Sequence, residues 1–220
     1  MTVPRAVAPT VPLPAPPAGA PADPVRLALP GRTLLLVAGL PGAGKSTLLA
    51  GVRRDPDVVV LDSDEHRAAL ARLFGHLPYR RYRALVHLRH RLAVAAAAVS
   101  AARTVAVHLP ATAPATRAAV ARLAALTGRD AHLLWLDAEP AEALGGQHTR
   151  GRLVPAASFA GHAARAAAAV ADLRAGRAGR GWRSVTVLDR RTAARGLRLA
   201  VDGRAVAPGP AGAQTGPHGK

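Results

Sequence analysis

The chain has no cysteine, no isoleucine and no asparagine among its 220 residues, and it has only two lysines. The absence of cysteine excludes disulfides, thiolate metal ligands and thiol nucleophiles, and it leaves the redox compartment undetermined. Alanine, arginine, glycine and proline are abundant instead, which is typical of coding bias. The number of arginines therefore says less about function than it would in another chain.

Long apolar runs are missing as well. The uncharged stretch from Leu92 to Ala102 is too short to cross a bilayer. The N-terminal segment lacks the apolar core of a secretory signal. We therefore expect no membrane partner and a cytoplasmic location.

Acidic residues are scarce, with 13 Asp and Glu against 30 Lys and Arg, so the formal net charge is +17 at pH 7. Two interpretations stay open. Clustered arginines, with Tyr79–Arg83 as the densest basic and aromatic cluster, can bind the phosphates and bases of a nucleic acid. A biased composition with solvated, arginine-rich helix faces explains the same charge, and we favour this second interpretation.

One of the two lysines lies in a glycine-rich segment with the spacing of a phosphate-binding P-loop, G-x-x-x-x-G-K-S. Glycines allow the backbone to turn with positive φ, and successive N–H groups then point at a polyphosphate. Lys45 can reach the β- and γ-phosphates, and the Ser46 hydroxyl can ligate Mg²⁺. We therefore expect ATP and Mg²⁺ as cofactors, bound by Gly39, Leu40, Pro41, Gly42, Ala43, Gly44, Lys45, Ser46 and Thr47.

Short apolar runs alternate with helical stretches along the chain, which indicates a parallel sheet covered by helices. The predicted fold class is α/β: a three-layer P-loop NTPase fold with a five-stranded parallel sheet, kinase-like, with a helical lid. Residues 1–30 and 203–220 are expected to be disordered arms around one domain at 31–202. The predicted strands are Thr33–Ala38, Asp57–Leu61, Thr104–His108, Ala131–Leu136 and Ser184–Leu188, and a last short helix is expected near 191–199.

Polar residues at the carboxyl ends of parallel strands are the candidates for catalysis and metal binding. Asp62 and Asp64 follow the second predicted strand, and Arg67 lies about one helical turn after Asp64. Carboxylates can support Mg²⁺ and can orient or deprotonate a phosphoryl acceptor. We therefore assign Asp62 to the metal, and Lys45, Asp64 and Arg67 to catalysis. Capping of the next helix is the alternative role for the aspartates.

Three motifs, GLPGAGKST, D-x-x-R at Asp64–Arg67 and R-G-R at Arg150–Arg152, make the chain resemble a family of P-loop kinase-like ATP-binding proteins. That family is related to AAA-type ATPases, zeta toxin, polynucleotide kinase and chloramphenicol phosphotransferase, and the resemblance runs from about residue 33 to 190. It implies transfer of the γ-phosphoryl group of Mg-ATP to a hydroxyl acceptor. It also implies that Asp64 is the base or acceptor-orienting group and that Arg67 holds the substrate.

The predicted lid carries Arg150 and Arg152 as catalytic residues. Lid arginines can close over a triphosphate and neutralise the charge that develops on the transferred group. A solvated turn between two helices is the alternative, because arginine is so common in this chain.

One feature departs from the family pattern, because the strand that ends at His108 has no carboxylate there. Asp62, Asp64 or Asp137 then has to support the metal, or catalysis is weakened. His108 is expected to be a hydrogen-bonded structural residue rather than a general base. Thr112 and Arg117 in the next loop are candidate substrate contacts, with helix capping as the alternative for Thr112.

The leading functional hypothesis is a kinase for a hydroxyl on a small molecule or a nucleic-acid end, with the acceptor unknown. The alternative is an ATP-binding regulatory or nucleic-acid-binding module with weak or no catalysis, and the missing carboxylate and the net charge favour it. A third hypothesis is a toxin of the zeta type that phosphorylates a cell-wall sugar nucleotide.

Overall fold

The computed structural model describes residues 23–52, 57–149, 151, 154–201 and 204–205. Most of both predicted arms lies outside this description, as do the lid residues Arg150 and Arg152. The strands are β1 Val25–Leu29, β2 Thr33–Gly39, β3 Val58–Leu61, β4 Thr104–His108, β5 Asp130–Asp137, β6 Trp182–Asp189, β7 Leu197–Val201 and β8 Arg204–Ala205. The helices are α1 Lys45–Ala50, α2 Ser63–Phe74, α3 Tyr79–Val99, α4 Pro114–Leu126, α5 Pro140–Thr149, α6 Ala156–Arg174 and α7 Arg190–Ala193.

Five strands form the central sheet in the order β3-β4-β2-β5-β6, and all neighbours in it are parallel. Strands β2 and β4 are buried along their whole length, as the continuous apolar runs in their sequences predict. Burial of both faces of a strand is typical of a parallel sheet covered by helices. The predicted α/β fold class with a five-stranded parallel sheet is confirmed.

A second sheet of three strands was not predicted, and its order is β1-β7-β8. β1 pairs in parallel with β7, and β7 pairs antiparallel with β8. The predicted arm over 1–30 is therefore wrong for β1, the predicted helix near 191–199 is wrong where β7 lies, and the predicted tail is wrong at β8. The physical reason is that Val25 and Leu29 are buried in β1 next to a strand that is distant in sequence, so no local pattern reveals the pairing.

Helices α2 and α3 pack against each other around a small apolar cluster of Leu70, Tyr82 and Val86. α2 begins at Ser63, directly after β3 and its N-cap Asp62, so its first turn, which carries Asp64, lies close to the end of β3. None of the described helices combines the length and the apolar character that a bilayer crossing requires.

The order of the strands brings three polar strand ends together. β3, β4 and β2 are neighbours, and at their carboxyl ends lie Asp62, His108 and the P-loop, respectively. Ligands of open parallel sheets bind at this edge. The fold therefore brings these three strand ends together at one edge of the sheet.

Candidate functional site

The P-loop is a tight turn between β2 and α1. Gly39, Gly42 and Gly44 have φ of 137°, 91° and 102°, values that residues with a side chain rarely adopt. The Ala43 N–H donates to the Leu40 carbonyl at 3.1 Å and closes the turn. A Cβ on Gly42 would collide with the carbonyl oxygen of Ala143, so the loop also needs glycine there to pack against α5.

Lys45 starts α1 and is buried, with 2% of its surface exposed. Its Nζ donates to the carbonyl oxygens of Gly39 at 3.0 Å and Leu40 at 2.6 Å. The ammonium group is therefore folded back over the loop that the sequence assigns to phosphates. Its positive charge, next to glycines that keep the backbone open, fits a polyphosphate ligand.

Ser46 lies next to the carboxylate of Asp64 and the imidazole of His108. Its Oγ donates to Asp64 Oδ2 at 3.4 Å, and it also lies 3.4 Å from His108 Nδ1. A hydroxyl that donates its proton to a carboxylate keeps its lone pairs free, and lone pairs on oxygen are what Mg²⁺ requires. Among the described residues, no group of three or more His, Asp or Glu side chains could hold a metal ion.

Asp62 is buried and connects the ends of β3 and β4. Its Oδ1 accepts hydrogen bonds from the Asp64 N–H at 2.9 Å and from His108 Nδ1 at 2.6 Å. Burial alone would raise the pKa of Asp62, but the hydrogen bond and charge of His108, helped by the Asp64 N–H, hold that pKa well below its ordinary value. Asp62 is thus ionised and is the N-cap of α2, so the predicted alternative of helix capping applies to Asp62.

His108 occupies the strand end where the family pattern has a carboxylate. Because an ionised carboxylate only accepts, Nδ1 of His108 is the donor to Asp62. The expected hydrogen bond of His108 is therefore present. Asp137, the third candidate for supporting the metal, lies at the end of β5, on the other side of β2. Its Oδ2 accepts a hydrogen bond from Arg174 Nη2 at 2.8 Å.

Arg67 lies on α2 with its guanidinium carbon 4.2 Å from the centre of the Tyr79 ring. Tyr82, the other tyrosine of the predicted basic and aromatic cluster, is buried and packs against Phe74 and Tyr79. Buried Tyr82 is therefore not placed to stack on a base. The roles of Asp64 and Arg67 toward a substrate stay predictions.

Helix α5 packs directly against the P-loop through backbone and a buried glutamine. Gln147 donates from Nε2 to the Pro41 carbonyl at 3.0 Å and accepts the Val154 N–H on Oε1 at 2.8 Å. A Cβ on Gly146 would collide with the Gly42 carbonyl oxygen. Gln147 thus connects the P-loop to the chain on both sides of the predicted lid. The sequence did not reveal this role because Pro41 is 106 residues away from Gln147.

Arg117, a candidate substrate contact in the sequence, is buried and bonds its own loop instead. Its Nη1 donates to the carbonyl oxygens of Ala111 at 2.9 Å and Thr112 at 3.0 Å, and its guanidinium lies over the Trp135 ring. The prediction for Arg117 is therefore wrong, because an arginine on the inner face of α4 satisfies the loop backbone. The predicted capping by Thr112 is also wrong, since Ala113 is the N-cap of α4.

Comparison with known proteins identifies a family and a fold. A family model described as an AAA domain matches residues 34–178. The chain is similar to the 1.70 Å structure of a candidate kinase from Chloroflexus aurantiacus J-10-fl, at 15% identity and a TM-score of 0.51 over 72% of this chain and 85% of that one. At this identity the likeness shows the fold alone.

Two further solved structures are similar at lower TM-scores. One is a gluconokinase from Sinorhizobium meliloti 1021, at 16% identity and a TM-score of 0.47 over 76% of this chain and 91% of that one. The other belongs to the PezAT chromosomal toxin–antitoxin system of Streptococcus pneumoniae, at 14% identity and 0.46 over 81% of this chain and 71% of that one. No curated protein sequence matches the chain.

Proposed function

This chain belongs to the AAA domain family, and on that premise we propose that it is a phosphotransferase that binds Mg-ATP and transfers the γ-phosphoryl group to a hydroxyl acceptor. The observation that carries the proposal is the arrangement at one edge of the sheet. The P-loop with its buried Lys45 lies there, and Ser46 of the same loop is hydrogen-bonded to Asp64.

The residues of the P-loop divide the work of binding. The N–H groups of the turn and Lys45 hold the phosphates, and Ser46 presents its hydroxyl oxygen to Mg²⁺ while donating a hydrogen bond to Asp64. Bound Mg-ATP supplies the phosphoryl group, and its Mg²⁺ supplies positive charge that neutralises the phosphates. Asp62, held by His108, fixes the first turn of α2 and so positions Asp64.

Asp64 is the residue that we assign to the acceptor. Its carboxylate takes the proton from the acceptor hydroxyl, the acceptor oxygen forms a bond to the γ-phosphorus, and the bond between that phosphorus and the bridging oxygen breaks to release ADP. Arg67, one turn along α2, is the residue that we assign to holding the acceptor. Arg150 and Arg152 stay predicted lid residues.

A screen of hydroxyl acceptors with γ-labelled ATP tests the proposal. The wild-type protein should transfer label to one class of small molecule, nucleotide or nucleic-acid end, and Asp64→Asn should lower kcat by about 10²- to 10⁴-fold with little change in ATP affinity. Glu65→Gln is the matched control, because it removes the exposed carboxylate next to Asp64. Normal ATP binding without a labelled product from any acceptor class would refute the proposed phosphotransferase activity.

A second candidate is an ATP-binding regulatory module with weak catalysis. His108 at the end of β4 favours it, since this position next to the P-loop strand carries an imidazole instead of a carboxylate. This candidate predicts nucleotide affinity without turnover, which the same screen would reveal.

A further inference from the structure

The loop between β4 and α4 has an unusual backbone held by buried contacts. Ala111 has a φ of 45°, in the left-handed region that favours glycine, and its side chain is buried. Arg117 holds this conformation by donating to the carbonyl oxygens of both Ala111 and Thr112. Strained backbone that persists because its surroundings hold it is typical of ligand-binding segments.

The loop is also joined to the P-loop. The Gly39 N–H donates to the Pro110 carbonyl at 3.1 Å, and the carbonyl of the same Gly39 accepts from Lys45 Nζ at 3.0 Å. Thr112 therefore lies two residues after a carbonyl that is hydrogen-bonded to the phosphate-binding turn.

Thr112 orients a histidine of α6, the helix on the far side of the predicted lid. Its Oγ1 lies 2.9 Å from Nδ1 of His162 in α6, and Thr112 itself is 3% exposed. A buried hydroxyl needs an acceptor for its proton, and within the part of the chain that the structure describes the hydrogen-bond partner of Oγ1 is His162 Nδ1. With Thr112 as the donor, His162 carries its own proton on Nε2, on the opposite side of the ring.

The charges around this half-buried imidazole are positive. Burial lowers the pKa of His162 most, and Arg165 of α6, Lys45 of α1 and Arg83 of α3 lower it further. The imidazole is therefore neutral at pH 7 and has one N–H donor, among three cations. The positive charges of these three side chains favour an anion next to the imidazole.

We propose that His162 is a further phosphate ligand of this site, whose Nε2–H donates to the terminal phosphate of a bound nucleoside triphosphate. The inference rests on the proposed nucleotide binding and adds a residue to it. We choose the terminal phosphate rather than an anionic acceptor as the partner of His162 because the charge of Lys45 acts on His162, and the P-loop spacing assigns Lys45 to the β- and γ-phosphates. Thr112 is the positioning residue, because it fixes which nitrogen of the imidazole is the donor.

Calorimetric titration with Mg-ATP and Mg-ADP tests the assignment without any acceptor. His162→Ala should weaken ATP binding by about 10- to 100-fold and leave ADP binding unchanged, since a hydrogen bond to a charged group is lost only with the triphosphate. His162→Gln should recover part of the loss, because its amide N–H can replace Nε2–H. His148→Ala on α5, an exposed histidine, is the matched control and should change neither affinity.

The tautomer gives a second measurement on the folded wild-type protein. Nitrogen NMR of histidine-labelled protein should show His162 protonated on Nε2, and Thr112→Val should abolish this preference while Thr112→Ser keeps it. Equal losses of ATP and ADP affinity in His162→Ala, no loss of either, or a proton on Nδ1 would overturn the proposal. A wild-type protein that binds neither nucleotide would refute the proposed function itself.

Discussion

Replacement of Asp62 by alanine should cost more stability than loss of a helix cap alone explains. Asp62 Oδ1 accepts from the Asp64 N–H, which caps α2, and from His108 Nδ1 at 2.6 Å. Loss of an N-cap costs about 1 kcal/mol, and loss of a hydrogen bond to an ionised group costs about 1.5–3 kcal/mol. We therefore expect Asp62→Ala to lower the free energy of unfolding by about 2.5–4 kcal/mol.

Urea unfolding at pH 7 measures this loss against a matched variant. Asp189 is also an N-cap aspartate, whose Oδ1 accepts from the Thr192 N–H at 2.6 Å, but it is exposed and has no histidine partner in the described structure. Asp189→Ala should therefore cost only about 0.5–1 kcal/mol. Equal losses in the two variants would refute the argument that His108 and the buried carboxylate stabilise each other.

The dependence of this loss on pH is set by the sign of the pKa shift. The pKa of Asp62 is lowered on folding, so its contribution to stability is complete above the unfolded value of 3.8 and is lost as pH falls below it. The difference in stability between the wild-type protein and Asp62→Ala should thus stay constant from pH 7 to about 5 and shrink in more acidic buffer. A difference that grows on acidification would contradict the assignment.

Two further predictions concern a glycine and a histidine. Gly42→Ala should abolish measurable ATP binding because its Cβ collides with the Ala143 carbonyl. Gly44→Ala has open space for a Cβ and adds only backbone strain of about 1–2 kcal/mol. Calorimetry that shows a greater loss of ATP affinity in Gly44→Ala than in Gly42→Ala would contradict the packing of α5 on the P-loop. His90 is buried, and burial, with the charges of His66 and His108, lowers its pKa from 6.5 to about 4. Between these pH values the unfolded chain binds a proton on His90 that the folded chain does not bind, so up to about 3 kcal/mol of stability is lost as pH falls from 6.5 to 4. His90→Leu should remove this part of the slope in urea unfolding, and an unchanged slope would show that His90 does not carry it.

The central sheet could be predicted because each of its strands has a local signature. Continuous apolar runs in β2 and β4 indicate strands buried on both faces, and the glycine-rich turn with Lys45 marks the end of β2 and the start of α1. The second sheet could not be predicted, because β1 lies next to a proline-rich segment and gains its burial only by pairing with β7.

Part of the candidate site could also be predicted from the sequence, and part could not. Ser46, Asp62 and Asp64 could be brought together from the sequence alone, because parallel strand ends share one edge of the sheet. The bonds of Gln147 to Pro41 and of Thr112 to His162 join residues that are distant along the chain, and no spacing rule connects them. The identity of the acceptor is not encoded in any motif, so it has to be measured.

Titration of Mg-ATP into the wild-type protein and into Lys45→Ala is the most direct test of the account. The buried ammonium of Lys45 donates to the carbonyl oxygens of Gly39 and Leu40, and we expect it to bind the phosphates. The wild-type protein should release heat with one nucleotide bound per chain, and Lys45→Ala should lose affinity by at least about 100-fold. Equal affinities in the two proteins, or no heat with the wild-type protein, would contradict the claim that this loop is a nucleotide-binding site.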